Sequence, residues 1–246
     1  MKAFLLAGGL GERLRPLTDR VPKCLVPING VPLLAIWLDL CNRSGIDSVL
    51  INVSRHGDRV EEFLEAEDVP INVRVVREKE PVGNAGTVLA NRDFVREEDN
   101  FFILYADNLT DAVLPRLLAF HRAHDGPLTM GLFRTTTPMS SGIVELAPDG
   151  RIRRFQEKPA QPLGNLANAG IYVGRQALFE AIPNDRPVVD FGKDVFPGLI
   201  GQLYGQPVDG YLLDIGTPQA LAKGCSDWAS TTLPPRRPVA GLGASS

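Results

Sequence analysis

The 246-residue chain holds three cysteines, Cys24, Cys41 and Cys225, an odd number with no pair at CxxC spacing. That pattern speaks against a disulfide framework and against a cysteine zinc site, and leaves reduced thiols as the expectation. Histidine is as scarce. His56, His121 and His124 complete the set, and none stands in a Ser-His-Asp or Cys-His pattern suited to nucleophilic catalysis. No apolar run approaches the roughly 18 residues that a membrane span needs. The N-terminal Ala3-Phe4-Leu5-Leu6-Ala7 breaks at Gly8-Gly9 and meets charges at Glu12, Arg13 and Arg15, too soon for the apolar core of a signal peptide. A cytoplasmic location is therefore expected. The net charge is only −3, so no field favours a nucleic-acid partner. A small anion remains a candidate ligand, because a local Arg/Lys cluster binds phosphate whatever the total charge. Internal repeats are absent, including the hexapeptide repeat of β-helices, so no appended acyltransferase-like β-helix is expected.

What is present reads as an α/β protein. Strands are expected at Lys2 to Ala7, Asp47 to Val53, Ile71 to Arg77 and Phe101 to Ala106. Helices are expected at Pro32 to Arg43, Asp58 to Glu67, Ala85 to Val95 and Asp111 to His124. This alternation predicts a Rossmann-like, mainly parallel sheet flanked by helices. After about residue 125 the pattern becomes β-rich, with short strands at Leu128 to Arg134, Gly142 to Leu146, Ile152 to Phe155, Ala169 to Val173 and Tyr211 to Leu213. Asp149-Gly150 forms a hairpin-type turn. Lys193 to Leu203 reads as helical, and Thr217 to Trp228 as a capped helix. The expected organisation is a single domain over residues 1–229, divided into a 1–125 half and a 126–229 half. The Ser/Thr/Pro/Gly-rich segment 230–246 reads as a disordered tail.

The first strand runs into Gly8-Gly9-Leu10-Gly11-Glu12-Arg13-Leu14-Arg15-Pro16, and Lys23 follows ten residues after Arg13. Glycines so dense let backbone N–H groups bend against phosphate oxygens. The segment is not a Walker A loop, since it lacks GxxxxGK[ST]. It begins like the dinucleotide fingerprint GxGxxG but ends in Leu14, with Arg13 where small groups are needed, which disfavours a nicotinamide-dependent oxidoreductase. Basic residues after a glycine loop suit the outer phosphates of a triphosphate.

These residues resemble the signature of the sugar-phosphate nucleotidyltransferases, the family of mannose-1-phosphate guanylyltransferases and glucose-1-phosphate thymidylyltransferases. The resemblance continues through Pro22-Lys23, Glu80-Pro81-Val82-Gly83-Asn84-Ala85-Gly86, Tyr105-Ala106-Asp107-Asn108, Glu157-Lys158-Pro159, Asn168-Ala169-Gly170-Ile171-Tyr172 and Asp214-Ile215-Gly216-Thr217-Pro218. It covers residues 1 to about 220. The chain departs from the common pattern at Glu12, Val82 and Asn84.

The resemblance implies a Mg²⁺-dependent enzyme in which a sugar 1-phosphate attacks the α-phosphorus of a nucleoside triphosphate and expels pyrophosphate. It assigns triphosphate and charge stabilisation to Arg13 and Lys23, and Mg²⁺ ligation to Asp107 and Asp214. Each aspartate also has a plainer reading as a helix N-cap. Leu6, Ala7, Gly8, Gly9, Gly11 and Gly86 would surround the nucleotide. Gly142, Glu157, Lys158 and Asn168 would hold the sugar phosphate. Arg15 reads as a surface residue, and Asp190 to Pro197 as structural. The segment Pro81 to Gly86 leans toward GTP, while the sugar stays open among mannose, glucose, a heptose and an amino sugar. A non-catalytic regulatory subunit of the same fold is the competing reading. A homodimer is the expectation for a soluble enzyme.

Overall fold

A computed structural model describes residues 1–229, so the proposed tail, residues 230–246, lies outside the described residues. Strand β1 (Lys2–Leu6) is buried almost throughout, and its side chains alternate between two cores. Ala3 and Leu5 enter one apolar cluster, Phe4 and Leu6 the other. A strand covered on both faces must read as an unbroken apolar run, and this one does.

The short pair β2 (Pro27–Ile28) and β3 (Val31–Pro32) leads into α1 (Leu33–Arg43). There follow β4 (Ser48–Val53), α2 (Gly57–Ala66), β5 (Asn72–Arg77), α3 (Asn84–Ala90) and β6 (Phe101–Tyr105). β1 pairs in parallel with both β4 and β6, and β4 with β5. α1 and α2 cover one face with Leu34, Trp37, Leu38, Val60 and Phe63, while Ala85 and Val88 of α3 pack on the other.

The second half continues the same sheet. Strand β7 (Asn108–Thr110), α4 (Leu114–Arg122), β8 (Leu128–Arg134), β9 (Gly142–Leu146), β10 (Ile152–Glu157) and β11 (Leu166–Gly174) are followed by β12 (Tyr204–Pro207), β13 (Leu212–Asp214) and α5 (Pro218–Trp228). β11 runs antiparallel against β6 on one side and β8 on the other, and so fuses the two halves. The β9–β10 hairpin joins through Ala167, with its turn at Gly150.

The structure revises several of the expected elements. The helix expected over Ala85 to Val95 ends at Ala90 and is followed by a separate 3₁₀ turn over Arg92–Val95. The helix expected from Asp111 begins only at Leu114, because Asp111 and Val113 bond to the 209–211 segment: Asp111 N donates to the Tyr211 carbonyl and Val113 N to that of Asp209. Lys193 to Leu203 is no regular helix. A π-turn over Phe191–Val195 passes into a 3₁₀ turn over Phe196–Leu199, where Pro197 and Gly198 interrupt α-helical bonding. Strands β2, β3, β7 and β12 are not among the expected elements. Among the described residues no helix is long and apolar enough to cross a membrane.

Candidate active site

In the order β5–β4–β1–β6 the chain first moves from β1 outward through β4 to β5, then returns to place β6 on the other side of β1. The loops after β1 and β6 therefore diverge, and the crevice outside their carboxyl ends is where open α/β sheets bind ligands. A cavity of about 290 Å³ lies there, bordered by Leu6 to Gly9, Lys23, Asn52, Glu78, Gly83, Asn84, Thr87 and Tyr105 to Asp107.

At one end of the crevice four charged side chains meet. Lys23, in a 3₁₀ turn after the glycine loop, is only 7% exposed. Its Nζ donates to Asp107 Oδ2 at 2.9 Å and to Asp214 Oδ1 at 3.0 Å. Arg13 Nη2 lies 3.5 Å from Asp214 Oδ2. The local fold explains the meeting. Asp107 follows β6, and β7 pairs antiparallel with β13, which sets Asp214 opposite Asn108. Ile215 N donates to the Asp107 carbonyl, and Gly216 N to Asp214 Oδ1. Neither aspartate caps a helix: Asp107 precedes a strand, and Thr217 caps α5 by accepting from Ala220 N. A side chain at Gly216 would sit 2.7 Å from Arg13 Nη2 and 3.1 Å from Lys23 Nζ, so the cluster closes on a bare backbone.

The other positions singled out from the sequence fall in three groups. Leu6, Ala7, Gly8 and Gly9 line the cavity, whereas Gly11 and Gly86 are not among its lining residues. The Gly11 carbonyl accepts from Thr18 Oγ1 and shapes the loop from behind. The close backbone approach in the α3 region falls to Gly83, at φ +80°, where a Cβ would strike the Val189 carbonyl oxygen at 2.2 Å. Arg15 turns to the surface and pairs with Asp19.

On the second half, Glu157 ends β10 and Lys158 follows at φ +45°. Lys158 is well exposed, 3.7 Å from the Glu157 carboxylate. Glu157 is half-buried, and burial pushes its carboxyl above the usual range. Its Oε2 lies 3.2 Å from where a Gly142 side chain would begin and 2.7 Å from the same point on Gly192, so both glycines make room for this carboxylate. Asn168 is engaged internally, donating to Tyr172 Oη at 2.7 Å and accepting from Gly170 N.

Sequence reasoning passed over several polar residues of the crevice. Asn84 spans the two halves: its Nδ2 donates to Tyr105 Oη and to Asp190 Oδ2, and its Oδ1 accepts from Phe191 N. Asn52, 5% exposed at the end of β4, accepts from Ala7 N, and Glu78 accepts from Thr87 Oγ1. The one visible signal for Asn52 was a polar residue inside the apolar run Val49-Leu50-Ile51-Asn52-Val53.

Residues 2–231 match the family model described as nucleotidyl transferase. The chain is 34% identical over 230 residues to the mannose-1-phosphate guanylyltransferase catalytic subunit beta of Xenopus tropicalis, covering 91% of this chain and 63% of that protein. It is 32% identical over 253 residues to a mannose-1-phosphate guanyltransferase of Neurospora crassa, covering 95% of this chain and 69% of the relative. The chain thus spans under two thirds of the length of the Xenopus protein. Among solved structures, a Bacillus anthracis protein assigned as a glucose-1-phosphate thymidylyltransferase superposes with a TM-score of 0.86 at 22% identity, covering 96% of this chain and 98% of that one. A UDP-glucose pyrophosphorylase complexed with UDP-glucose superposes with a TM-score of 0.78 at 18% identity, over 93% and 98% of the two chains. These superpositions establish a shared fold, and the match over nearly all of the described residues shows that the chain belongs to the nucleotidyl transferase family.

Proposed function

We propose that this chain is a sugar-1-phosphate nucleotidyltransferase that joins a nucleoside triphosphate, GTP in the first instance, to a sugar 1-phosphate and releases pyrophosphate. The observation that carries this reading is the buried Lys23 ammonium, held between Asp107 and Asp214 beside Arg13 at the mouth of the crevice. The names of the similar Xenopus and Neurospora proteins make GTP and mannose 1-phosphate the first pair to test.

The reaction asks for alignment and charge neutralisation more than for proton transfer. The attacking phosphate is already ionised, so its oxygen forms the new bond to the α-phosphorus without a base. The bond from that phosphorus to the β-phosphate oxygen breaks, and pyrophosphate leaves with the electron pair. Two anions must be brought together in line, and fixed cations lower the cost of doing so. Lys23 is oriented by its two carboxylates and points one positive charge at the cluster's centre. Arg13, two-thirds exposed, is free to swing onto the outer phosphates. Glu157 and Lys158 are proposed to hold the sugar hydroxyls and the sugar phosphate. The nucleotide is proposed to lie over Leu6 to Gly9, with residues 1–125 serving the nucleotide and 126–229 the sugar.

The donor set at the cluster also fits Mg²⁺. Asp107 and Asp214 present carboxylate oxygens that converge on one positive charge. Among the described residues no group of three or more His, Cys, Asp or Glu is arranged as a metal site. Two protein carboxylates are what Mg²⁺ commonly takes while keeping waters and substrate phosphates as its other ligands. Bound there, Mg²⁺ would supply charge neutralisation of the triphosphate.

Label partition tests the reading. With GTP labelled at the α-phosphate, label is expected in a nucleotide sugar and none in pyrophosphate. Label recovered as GMP or GDP, with no nucleotide sugar, would refute the transfer.

A further inference from the structure

Residues 82–86 border the crevice through Gly83 and Asn84, and residues 189–192 belong to the other half of the chain, yet the two segments are bonded side by side. Val189 N donates to the Val82 carbonyl, and the Val189 carbonyl accepts from both Ala85 N and Gly86 N. Asn84 completes the seam. Its Oδ1 accepts from Phe191 N at 2.7 Å, and its Nδ2 donates to Asp190 Oδ2 at 2.9 Å and to Tyr105 Oη at 2.8 Å. We propose that Asn84 is a positioning residue that couples the two halves of the crevice: nucleotide bound against residues 82–86 holds the 189–192 segment in place, and with it the Glu157 carboxylate on the sugar side. This rests on the proposed transferase function and adds a coupling between its two substrates.

The Asn84 amide is spent on this seam. Both Nδ2 protons and the Oδ1 oxygen have protein partners, so the side chain serves the shape of the crevice rather than a substrate directly. The segment it grips reaches the sugar side within two residues. A Cβ on Gly192 would lie 2.7 Å from Glu157 Oε2 and 3.2 Å from Asp190 Oδ1, so the backbone after Phe191 is packed directly on the Glu157 carboxylate. The segment also has few other polar ties. Asp190 N donates to Asp194 Oδ2, and Lys193 N donates to Asp190 Oδ1, which are bonds within the turn itself. Among the described residues, every hydrogen bond that residues 189–191 make beyond the 190–196 turn goes to residues 82–86.

Coupling of this kind is reciprocal. If opening of the 189–192 segment weakens nucleotide binding by some factor, saturating nucleotide suppresses that opening by the same factor. Amides that the opening exposes then exchange with solvent more slowly by that factor. Chemistry at position 84 separates a role carried by hydrogen bonds from one of filling space. Aspartate has the shape of asparagine but no donor. In Asn84→Asp a carboxylate would face the Asp190 carboxylate across the present 2.9 Å contact, and two like charges there repel. Adding Asp190→Asn restores the pair with donor and acceptor exchanged. The amide at position 190 then donates, the carboxylate at position 84 accepts, and the bond from Phe191 N is kept.

The experiment follows hydrogen exchange of the Val189 and Phe191 amides by NMR, with and without saturating GTP and Mg²⁺. It compares the unaltered chain, Asn84→Asp, Asn84→Ala and the exchanged pair Asn84→Asp with Asp190→Asn. Turnover of GTP with sugar 1-phosphates is measured in parallel. GTP is expected to slow both amides by about 10-fold or more in the unaltered chain and in the exchanged pair, and by less than about 2-fold in Asn84→Asp. Asn84→Ala, which adds no charge, should also fall below about 3-fold, and it carries the test if Asn84→Asp does not fold. Saturable GTP binding that leaves both amides unchanged in the unaltered chain would overturn the proposal. Full coupling retained in Asn84→Asp or Asn84→Ala, or an exchanged pair no better than Asn84→Asp alone, would overturn it as well. Coupling without turnover would refute the transferase reading and leave this one standing. Turnover with exchange indifferent to GTP would do the reverse, and absence of GTP binding would refute both.

Discussion

Acidification should destabilise this protein through one buried imidazole. His121 of α4 is fully buried, and its ring is pulled down to about 3 from its ordinary value by burial first and by the nearby Arg175 guanidinium second. Its hydrogen bonds require the neutral ring. Arg175 Nε donates to His121 Nε2 at 3.2 Å, so the ring proton sits on Nδ1, which meets Thr129 Oγ1 at 2.8 Å. His124 reaches the same hydroxyl through Nε2, with its Nδ1 accepting from Gly126 N. A protonated His121 would point a donor at a guanidinium. The folded state therefore binds fewer protons than the unfolded chain, whose imidazole titrates near 6.5. Stability is full above pH 6.5 and is lost as pH falls through that value toward about 3. The arithmetic gives a loss from His121 of about 2 kcal/mol at pH 5. His124 is lowered in the same direction, to about 4, but it is partly exposed and adds less. Urea denaturation at pH 7.5, 6 and 5, compared with His121→Gln, measures the effect. The variant should start less stable and lose about 2 kcal/mol less between the extremes. Parallel curves for the two proteins would refute the reasoning.

Three further outcomes are expected. Lys23→Met leaves Asp107 and Asp214 facing each other without their shared cation; kcat should fall by about 10²–10³-fold with little change in thermal stability, as steady-state kinetics and melting would show. Gly83→Ala sets a Cβ against the Val189 carbonyl at a positive φ and should destabilise by about 3 kcal/mol, read by urea denaturation. Burial pushes the Cys24 and Cys41 thiols up to about 12, so a disulfide reagent at pH 8 should modify Cys225 alone in the folded chain, and all three thiols in denaturant.

The parts of the fold legible in the sequence are those where periodicity and local chemistry agree. β1 reads correctly because a strand buried on both faces is apolar throughout, and α1 because Leu34, Trp37, Leu38 and Cys41 recur at helical spacing. Strand β7 escapes because three residues are too few for an alternation, and because it is held by β13, which lies about a hundred residues later. β12 escapes because Tyr204-Gly205-Gln206-Pro207 has neither β-branched residues nor alternation, and its place is set by β8. The segment 193–203 misleads because Phe196, Leu199 and Ile200 mimic a helical stripe around Pro197 and Gly198. The site shows the same division. Arg13, Lys23, Asp107 and Asp214 stand in motifs, and the structure brings all four together. Asn52 interrupts an apolar run and Asn84 stands in a motif, but the partners of both lie far off in sequence, so only the fold reveals what they face.

The central claim is transfer of a nucleotidyl group onto a sugar phosphate at the Lys23–Asp107–Asp214 cluster. Pyrophosphate release, measured with Mg²⁺ over a grid of nucleoside triphosphates against mannose, glucose, heptose and amino-sugar 1-phosphates, tests it most directly, with Asp107→Ala alongside. The account predicts release that requires both substrates, is greatest with GTP, and is abolished in Asp107→Ala. Release without a sugar phosphate, release undiminished by Asp107→Ala, or none from folded protein across the grid would contradict it.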